Sequence, residues 1–308
     1  MDEQRRCADN PLELIGNTPL VRIRNLELPG KPRNPRVEVW GKLEGCNPGG
    51  SIKDRIALSM IDQAEKTGTL TKDKVILEAT SGNTGIGLAL VAAVKGYRLQ
   101  LTMSDAVSQE RRRILAAYGA EFILTDGKLG TDGAIERAYE LADKEGDRFF
   151  LADQYNNPAN PLAHYTGTAP EIWAQTAGRV THFVAALGTT GTVIGCSRRL
   201  KEFNPQTYVL AVEPYLGHKI QGLKSLKEAY VPGIFDKKLV DEKSNVADDD
   251  AFDTTRRAAK AEGLLLGMSA GAALFGALDL ASRIDEGVIV AILPDFGERY
   301  LSTNLFAA

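Results

Sequence analysis

The segment Val75-Ile-Leu-Glu-Ala-Thr-Ser-Gly-Asn-Thr-Gly85 decides the fold, because it joins a short apolar run to a helical pattern through a single turn. Val75 to Leu77 are typical of a buried strand, and the positions at about 84–95 have helical spacing. Similar strand-to-helix steps recur along the chain. This alternation predicts parallel sheets covered by helices on both faces, with ligands at the carboxyl ends of the strands.

The same reading places the other secondary structure elements. We expect further buried strands at residues 99–103, 121–124, 149–151, 180–187, 208–212 and 287–293. We expect the other helices at about 108–118, 131–145, 159–177, 192–203, 248–262 and 270–284. This number of strand–helix repeats is more than one open sheet comfortably holds. We therefore predict two α/β domains. The best seam is Asn156-Asn-Pro-Ala-Asn-Pro161, which is dense in turn-forming residues.

Composition excludes several classes of function. The 308 residues are 44% hydrophobic and 25% charged, with a net charge of -3, which gives no electrostatic case for binding nucleic acid or a membrane surface. The N-terminus lacks an apolar signal region, and no apolar run is long enough to span a bilayer. The three cysteines are far apart, which argues against disulfides and a metal site and for a reducing compartment. We therefore expect a cytoplasmic protein without a metal ion.

The stretch Asn47-Pro-Gly-Gly-Ser-Ile-Lys53-Asp-Arg55 places one lysine where a helix begins, with Ser51 as the predicted N-cap. The positive end of the helix dipole disfavours an ammonium at this position and so lowers its pKa. An amine needs a lowered pKa to attack a carbonyl and form a Schiff base. Taken alone, this segment favours the simpler interpretation of Lys53 as a solvated lysine on an amphipathic helix.

Three more glycine-rich stretches begin predicted helices. Thr80-Ser-Gly-Asn-Thr-Gly85 can direct backbone N–H groups at an anion, or can simply be a capped turn. Gly188-Thr-Thr-Gly-Thr192 lacks the P-loop ending and the dinucleotide spacing, which favours a cofactor with one phosphate monoester. Ser269 has the position of an N-cap. Asp295 follows the last strand, either as a cofactor ligand or as a solvated turn acid.

These motifs, in this order, resemble those of the cysteine synthases, also called O-acetylserine sulfhydrylases. The stretches Ile15-Gly-Asn-Thr-Pro-Leu20 and Gly297-Glu-Arg-Tyr-Leu-Ser-Thr303 fit as well, and the resemblance covers residues 11 to 305. Cysteine synthases are pyridoxal-phosphate enzymes of fold type II, the tryptophan synthase β group. The resemblance implies two three-layer α/β domains with mainly parallel twisted sheets and the cofactor in the cleft between them. It divides the chain into a smaller mobile domain (46–157, with residues 1–11), a larger domain (158–308) and joining strands (12–45).

The resemblance also implies the roles of individual residues. Lys53 holds pyridoxal 5'-phosphate as an internal aldimine and later removes the substrate Cα proton. Asn83 binds the 3′-oxygen of the ring and Ser269 faces the pyridine nitrogen. The phosphate is bound by Gly188, Thr189, Thr190, Gly191 and Thr192. The substrate is bound by Thr80, Ser81, Gly82, Thr84, Gln154, Gly222 and Lys224.

The implied reaction is a β-replacement. O-acetyl-L-serine loses acetate to give an α-aminoacrylate, and sulfide then adds to form L-cysteine. A homodimer and an association with serine acetyltransferase are implied too. The long charged segment 217–235 and Ser108-Gln-Glu-Arg-Arg112 favour the type B enzymes, although His218-Lys-Ile-Gln-Gly222 is similar to type A.

Lys224 stands where type B relatives carry arginine, and it would attract O-phosphoserine or thiosulfate if it is not a solvated loop lysine. Four alternatives stay open at this point. They are a cystathionine β-synthase, a cysteine synthase that uses O-phosphoserine or thiosulfate, a serine or threonine dehydratase, and a non-catalytic module that binds the tail of serine acetyltransferase.

Overall fold

The structure is a computed structural model that describes residues 7–107, 109–228 and 230–306. The outer ends of the two predicted domains, together with Ser108 and Ala229 of the two subtype segments, lie outside the described residues. The described chain divides into two compact units. The first includes the residues up to Gly16, Asn47–Gly49 and Lys53–Ala159, and the second includes Asn17–Cys46, Gly50–Ile52 and the residues from Asn160 onward.

The strands, in chain order, are β1 (Leu20–Ile23), β2 (Val37–Leu43), β3 (Val75–Ala79), β4 (Arg98–Ser104), β5 (Glu121–Thr125), β6 (Phe149–Leu151), β7 (His182–Ala186), β8 (Tyr208–Pro214), β9 (Glu242–Val246) and β10 (Gly287–Leu293). The α-helices are α1 (Lys53–Thr67), α2 (Asn83–Lys95), α3 (Gln109–Ala117), α4 (Gly130–Lys144), α5 (Ala159–Ala163), α6 (Ala169–Gln175), α7 (Gly191–Phe203), α8 (Asp248–Glu262) and α9 (Met268–Arg283).

The sheet of the first unit is parallel throughout its described strands, in the order β5-β4-β3-β6. All the residues of β3 are buried, because the strand lies inside the sheet and α4 packs against it. A strand covered on both faces needs an apolar sequence, which is why Val75 to Leu77 predict it. The turn after β3 is therefore held on a rigid element.

The sheet of the second unit has the order β1-β2-β10-β7-β8-β9, and only β1 runs antiparallel to its neighbour. The predicted joining strands, residues 12–45, contain β1 and β2, and β2 pairs in parallel with β10 over its whole length. The apolar periodicity alone did not locate β1, β2 or β9. The residues Glu242-Lys-Ser-Asn-Val246 of β9 are mostly polar, so they lack the apolar run by which we identified the other strands.

The two-domain α/β prediction with mainly parallel sheets is confirmed. The predicted helix over 159–177 is interrupted by a π-helical turn, His164–Thr168, between α5 and α6. Such turns are rare and occur often at functional sites. Within the described residues, no helix has both the length and the apolar sequence needed to cross a lipid bilayer.

Candidate active site

Lys53 is the first residue of α1, as the sequence predicts, and is half-buried. Ser51, the predicted N-cap, instead lies buried in a β-bridge with Asp295, and the Ile52 N–H donates to the Pro294 carbonyl at 2.9 Å. The residues just before the lysine are thereby fixed to the end of β10. In the first unit, α2 packs closely on α1, since a Cβ on Gly87 would lie 3.0 Å from the Lys53 carbonyl oxygen. The packing of α2 therefore fixes the start of α1.

The turn after β3 leads directly into α2. Gly82 is the N-cap and provides no side-chain cap, and its N–H donates to the Thr80 hydroxyl at 3.2 Å. A Cβ on Gly82 would meet no heavy atom within 4 Å. The first N–H groups of a helix have no acceptor within the helix, so an uncapped start in open space suits an anionic group.

Gln154 and Thr84, two of the predicted substrate residues, are in contact. The Thr84 hydroxyl donates to Gln154 Oε1 at 2.7 Å, and both side chains are buried. Gln154 in turn donates to the Glu78 carboxyl, from its backbone N–H at 3.2 Å and from Nε2 at 3.3 Å. The first unit therefore places a connected polar network beside the turn 80–84.

Glu78 is a residue that the sequence analysis missed. It lies in β3 with 2% of its surface exposed, and this burial raises the pKa of its carboxyl to about 8. The Asp153 charge raises the pKa further, while the bonds from Gln154 oppose the shift. The available signal was one acidic residue within the apolar run Val75-Ile-Leu-Glu-Ala79.

In the second unit, β7 and α7 are joined by the predicted phosphate loop, Gly188 to Thr192. Thr190 has a φ of +69°, a left-handed conformation that is strained for a β-branched residue. Its hydroxyl is buried and has no hydrogen-bond partner among the described residues. Strain together with a buried, unsatisfied donor is what a ligand-binding loop shows when the ligand supplies the acceptor.

The loop is backed by two residues whose role the sequence analysis missed, Asn160 and His164. Asn160 Nδ2 donates to the Thr189 hydroxyl at 3.0 Å, and His164 Nε2 lies 3.2 Å from Thr192 Oγ1. A Cβ on Gly191 would overlap the Asn160 amide. The residues present therefore fit a phosphate monoester at the start of α7, where the backbone must approach the ligand closely.

Gly222 and Lys224 lie beside this loop. The Lys224 N–H donates to the Leu187 carbonyl at 2.8 Å, and a Cβ on Gly188 would lie 2.6 Å from the Gly222 carbonyl oxygen. The Lys224 side chain is 7% exposed and its ammonium is 2.7 Å from Glu228. Although burial opposes it, the Lys224 charge lowers the pKa of the Glu228 carboxyl. The interpretation of Lys224 as a solvated loop lysine is therefore wrong.

Ser269 lies inside the first turn of α9 and is buried, whereas Gly267 is the N-cap, so the simple capping interpretation is wrong. Asp295 is also buried and accepts a hydrogen bond from the Tyr300 hydroxyl at 2.5 Å. Its carboxyl packs against Gly267, where it leaves no room for a Cβ. Asp295 is thus not a solvated turn acid.

The model of the family described as pyridoxal-phosphate-dependent enzymes matches residues 12–295. This chain belongs to that family. It is 49% identical over 294 residues to cysteine synthase B of Escherichia coli, which covers 96% of this chain and 95% of that protein. It is 47% identical over 308 residues to cysteine synthase of Aquifex aeolicus, with 98% of this chain and 94% of that protein covered.

The crystal structure of cysteine synthase from Entamoeba histolytica has the same fold, with a TM-score of 0.93 and 39% identity over 99% of this chain and 93% of that one. The predictions of a fold type II enzyme and of pyridoxal phosphate as its cofactor are confirmed. Of the predicted site residues, the first unit holds Lys53, Asn83, the turn 80–84 and Gln154. The second holds the phosphate loop, Gly222, Lys224 and Ser269. The role of each residue stays a prediction.

Proposed function

We propose that this enzyme makes L-cysteine and acetate from O-acetyl-L-serine and sulfide. The observation that carries the proposal is the pair of strand-to-helix junctions. The junction after β3 has an open, uncapped helix start with a buried amide beside it, which suits the carboxylate of an amino acid. The junction after β7 has the strained loop and the unsatisfied Thr190 hydroxyl, which suit a phosphate. The relatives named cysteine synthase match nearly the whole chain.

The residues of the first unit would act on the reacting centre. Bound pyridoxal phosphate supplies an electron sink for the carbanion formed when an amino acid loses its α-proton. Lys53 would attach the cofactor through Nζ and take that proton at the same atom. Thr80, Ser81, Gly82, Thr84 and Gln154 would orient the substrate carboxylate. Asn83, at the start of α2, would donate to the 3′-oxygen of the cofactor ring.

The residues of the second unit would hold the rest of the cofactor. Gly188 to Thr192 would bind its phosphate through backbone N–H groups and the Thr190 hydroxyl. Ser269 would face the pyridine nitrogen. A hydroxyl is too weak an acid to keep that nitrogen protonated, so it favours elimination at the β-carbon over reactions that need a stronger electron sink.

We extend the proposal to subtype, assembly and location. Gly222 and Lys224 would border the substrate and place the enzyme with type B, for which the charged segment 217–235 is the support. O-phosphoserine or thiosulfate would then be alternative reactants. A homodimer, an association with serine acetyltransferase and a cytoplasmic location rest on the family resemblance.

Turnover of the purified enzyme tests the proposal. With O-acetylserine and sulfide, mass spectrometry should detect cysteine and acetate, and homocysteine in place of sulfide should give little product. The Lys53→Ala variant should lose the visible absorbance of the lysine-attached cofactor. Its turnover should fall by on the order of 10³-fold. Lys66→Ala, an exposed lysine at the end of the same helix, is the control and should keep both. Full activity in Lys53→Ala, or cystathionine as the preferred product, would refute the proposal.

A further inference from the structure

We propose that Glu78 is a positioning residue that holds Gln154 in the orientation that receives the carboxylate of the amino-acid substrate. This inference rests on the proposed function of Gln154 and the turn 80–84. Glu78 itself is not in the substrate-binding set.

The backbone brings Gln154 to Glu78. The Ala152 N–H donates to the Leu77 carbonyl at 2.9 Å, which continues the pairing of β6 with β3. Asp153 then has a φ of +52°, so the chain turns immediately before Gln154. Because of this turn, both the backbone N–H and the side-chain amide of Gln154 donate to one carboxyl group.

Both ends of the Gln154 amide are oriented. Nε2 faces Glu78, and Oε1 accepts from the Thr84 hydroxyl at 2.7 Å. Thr84 is in the first turn of α2, next to the predicted carboxylate site. Rotation of the amide by half a turn would replace the Nε2 hydrogen bond to Glu78 by a contact between Oε1 and the carboxyl. The contact with Glu78 therefore favours one orientation of the amide.

The donors around Glu78 are neutral amides. Glu78 accepts from Ala79 N–H at 3.1 Å and from Gln154 at 3.2 and 3.3 Å. The charge that acts on Glu78 is the Asp153 carboxylate, which comes after β6 and accepts from the Tyr139 hydroxyl of α4 at 2.8 Å. A second negative charge at Glu78 would be unfavourable there, and it would also repel an incoming carboxylate.

The consequence is a pH dependence of substrate binding. The carboxyl with its pKa of about 8 is mostly protonated at neutral pH and loses its proton on the alkaline side. As the proton leaves, the affinity for O-acetylserine should fall. Turnover of bound substrate depends on Lys53 and should change less, so the effect should appear in KM rather than in kcat.

Three variants test the positioning role. Glu78→Gln mimics the neutral acid, so it should keep the wild-type KM for O-acetylserine near pH 7 and should lose the rise in KM between pH 7 and 9. Glu78→Ala should raise KM about 10-fold with kcat changed less than about threefold. The double variant Glu78→Ala/Gln154→Ala should have a KM close to that of Gln154→Ala alone, because the two residues would act through one contact. Glu121→Gln, at an exposed position of β5, is the control.

Two measurements separate this inference from the proposed reaction. The affinity for L-serine, measured through the visible absorbance of the holoenzyme, compares wild type with Glu78→Gln across pH without turnover. Infrared difference spectra of wild type and Glu78→Gln should show a protonated carboxylic acid that disappears near pH 8. An identical rise in KM and in the dissociation constant for serine in wild type and Glu78→Gln would overturn the inference. So would additive effects of Glu78→Ala and Gln154→Ala, even with cysteine formation intact.

Discussion

The two strand-to-helix junctions, β3 to α2 and β7 to α7, share one design and differ in what lies behind the turn. Both place small residues between a strand and a helix whose N-cap residue, Gly82 or Thr190, makes no side-chain capping bond. Behind Gly82 there is open space, whereas Gly191 is pressed against Asn160. The first junction suits a substrate that enters and leaves in every turnover. The second has no room for a side chain at Gly191, which suits the proposed binding of a cofactor that stays in place.

The buried acids beside the two junctions differ in charge. Glu78 in β3 has no lysine within ion-pair distance among the described residues, and burial raises the pKa of its carboxyl to about 8. Glu213 in β8 is equally buried, but Lys243 lies 2.7 Å away and, against the effect of burial, lowers the pKa of its carboxyl. Glu213 also accepts from Ser225 and Leu226, and so fixes the segment that carries Lys224. The two glutamates therefore differ in their surroundings: Glu213 has a cationic partner, whereas Glu78 accepts from neutral amides.

The largest effect on cofactor binding should come from a side chain added at Gly191, in the junction between β7 and α7. Gly191→Val places side-chain atoms on the Asn160 amide, and we expect it to weaken the affinity for pyridoxal phosphate roughly 100-fold. Gly82→Ala adds a Cβ in open space at the other junction and should leave this affinity unchanged. Equilibrium dialysis of both variants with the cofactor measures the difference. Equal affinities would mean that the two turns are not distinct in the way we describe.

A second prediction concerns the two glutamates and the pH dependence of stability. The pKa of Glu78 is raised on folding, so its contribution is fully present below about pH 4.5 and is lost as the pH rises towards 8. The difference between wild type and Glu78→Gln in the free energy of unfolding should therefore change by on the order of 2–4 kcal/mol between pH 5 and 8.

Glu213 should have the opposite sign. Its pKa is lowered on folding, so its contribution is present above about pH 4.5 and is lost as the pH falls through the folded value. The effect should be smaller because the Lys243 side chain is 45% exposed. Urea unfolding of the holoenzymes from pH 4 to 9 tests both signs. If the two glutamine variants changed in parallel with pH, the proposed contrast in charge would be incorrect.

Removal of one hydroxyl from each junction should have effects of intermediate size, on cofactor binding at one junction and on substrate binding at the other. Thr190→Val deletes a buried hydroxyl without an internal partner, so it should weaken cofactor binding by about 1–2 kcal/mol without lowering the stability of the protein. Thr84→Val breaks the bond to Gln154 and should instead raise the KM for O-acetylserine by a similar factor. Cofactor titrations and steady-state kinetics on both variants distinguish the sites. A Thr190→Val enzyme with normal cofactor affinity would argue against the phosphate assignment.

The smallest effect is expected at Lys224. Glu228 already neutralises its ammonium, so Lys224→Ala should lower kcat/KM for O-phosphoserine or thiosulfate only about 2–5-fold more than for O-acetylserine and sulfide. Lys227→Ala, an exposed lysine of the same segment, is the control. An equal change with all four reactants would leave Lys224 as a structural residue that fixes its loop to β7.

The sequence predicts the elements that have a clear local periodicity. The continuous apolar runs of β3 and β10, and the helix that begins at Lys53, are of this kind. Periodicity does not locate β2, which pairs with β10 near the end of the described chain, or β9, whose sequence is mostly polar. The contact of Glu78 with Gln154, 76 residues apart, and the packing of Asn160 behind Gly191 also depend on tertiary structure. The motifs therefore identify the residues proposed to touch ligands, but not those that hold them.

The position of β10 in its sheet affects how the protein can fold during its synthesis on the ribosome. The strands of the first unit lie within residues 75–151, so its sheet can form early in synthesis. In the second unit, β10 is inserted between β2 and β7, although it is the last strand described. Until residue 293 has left the exit tunnel, both neighbours keep an unpaired edge that can pair with another nascent chain. We therefore expect the interval before β10 emerges to be the time at which this chain most needs a chaperone.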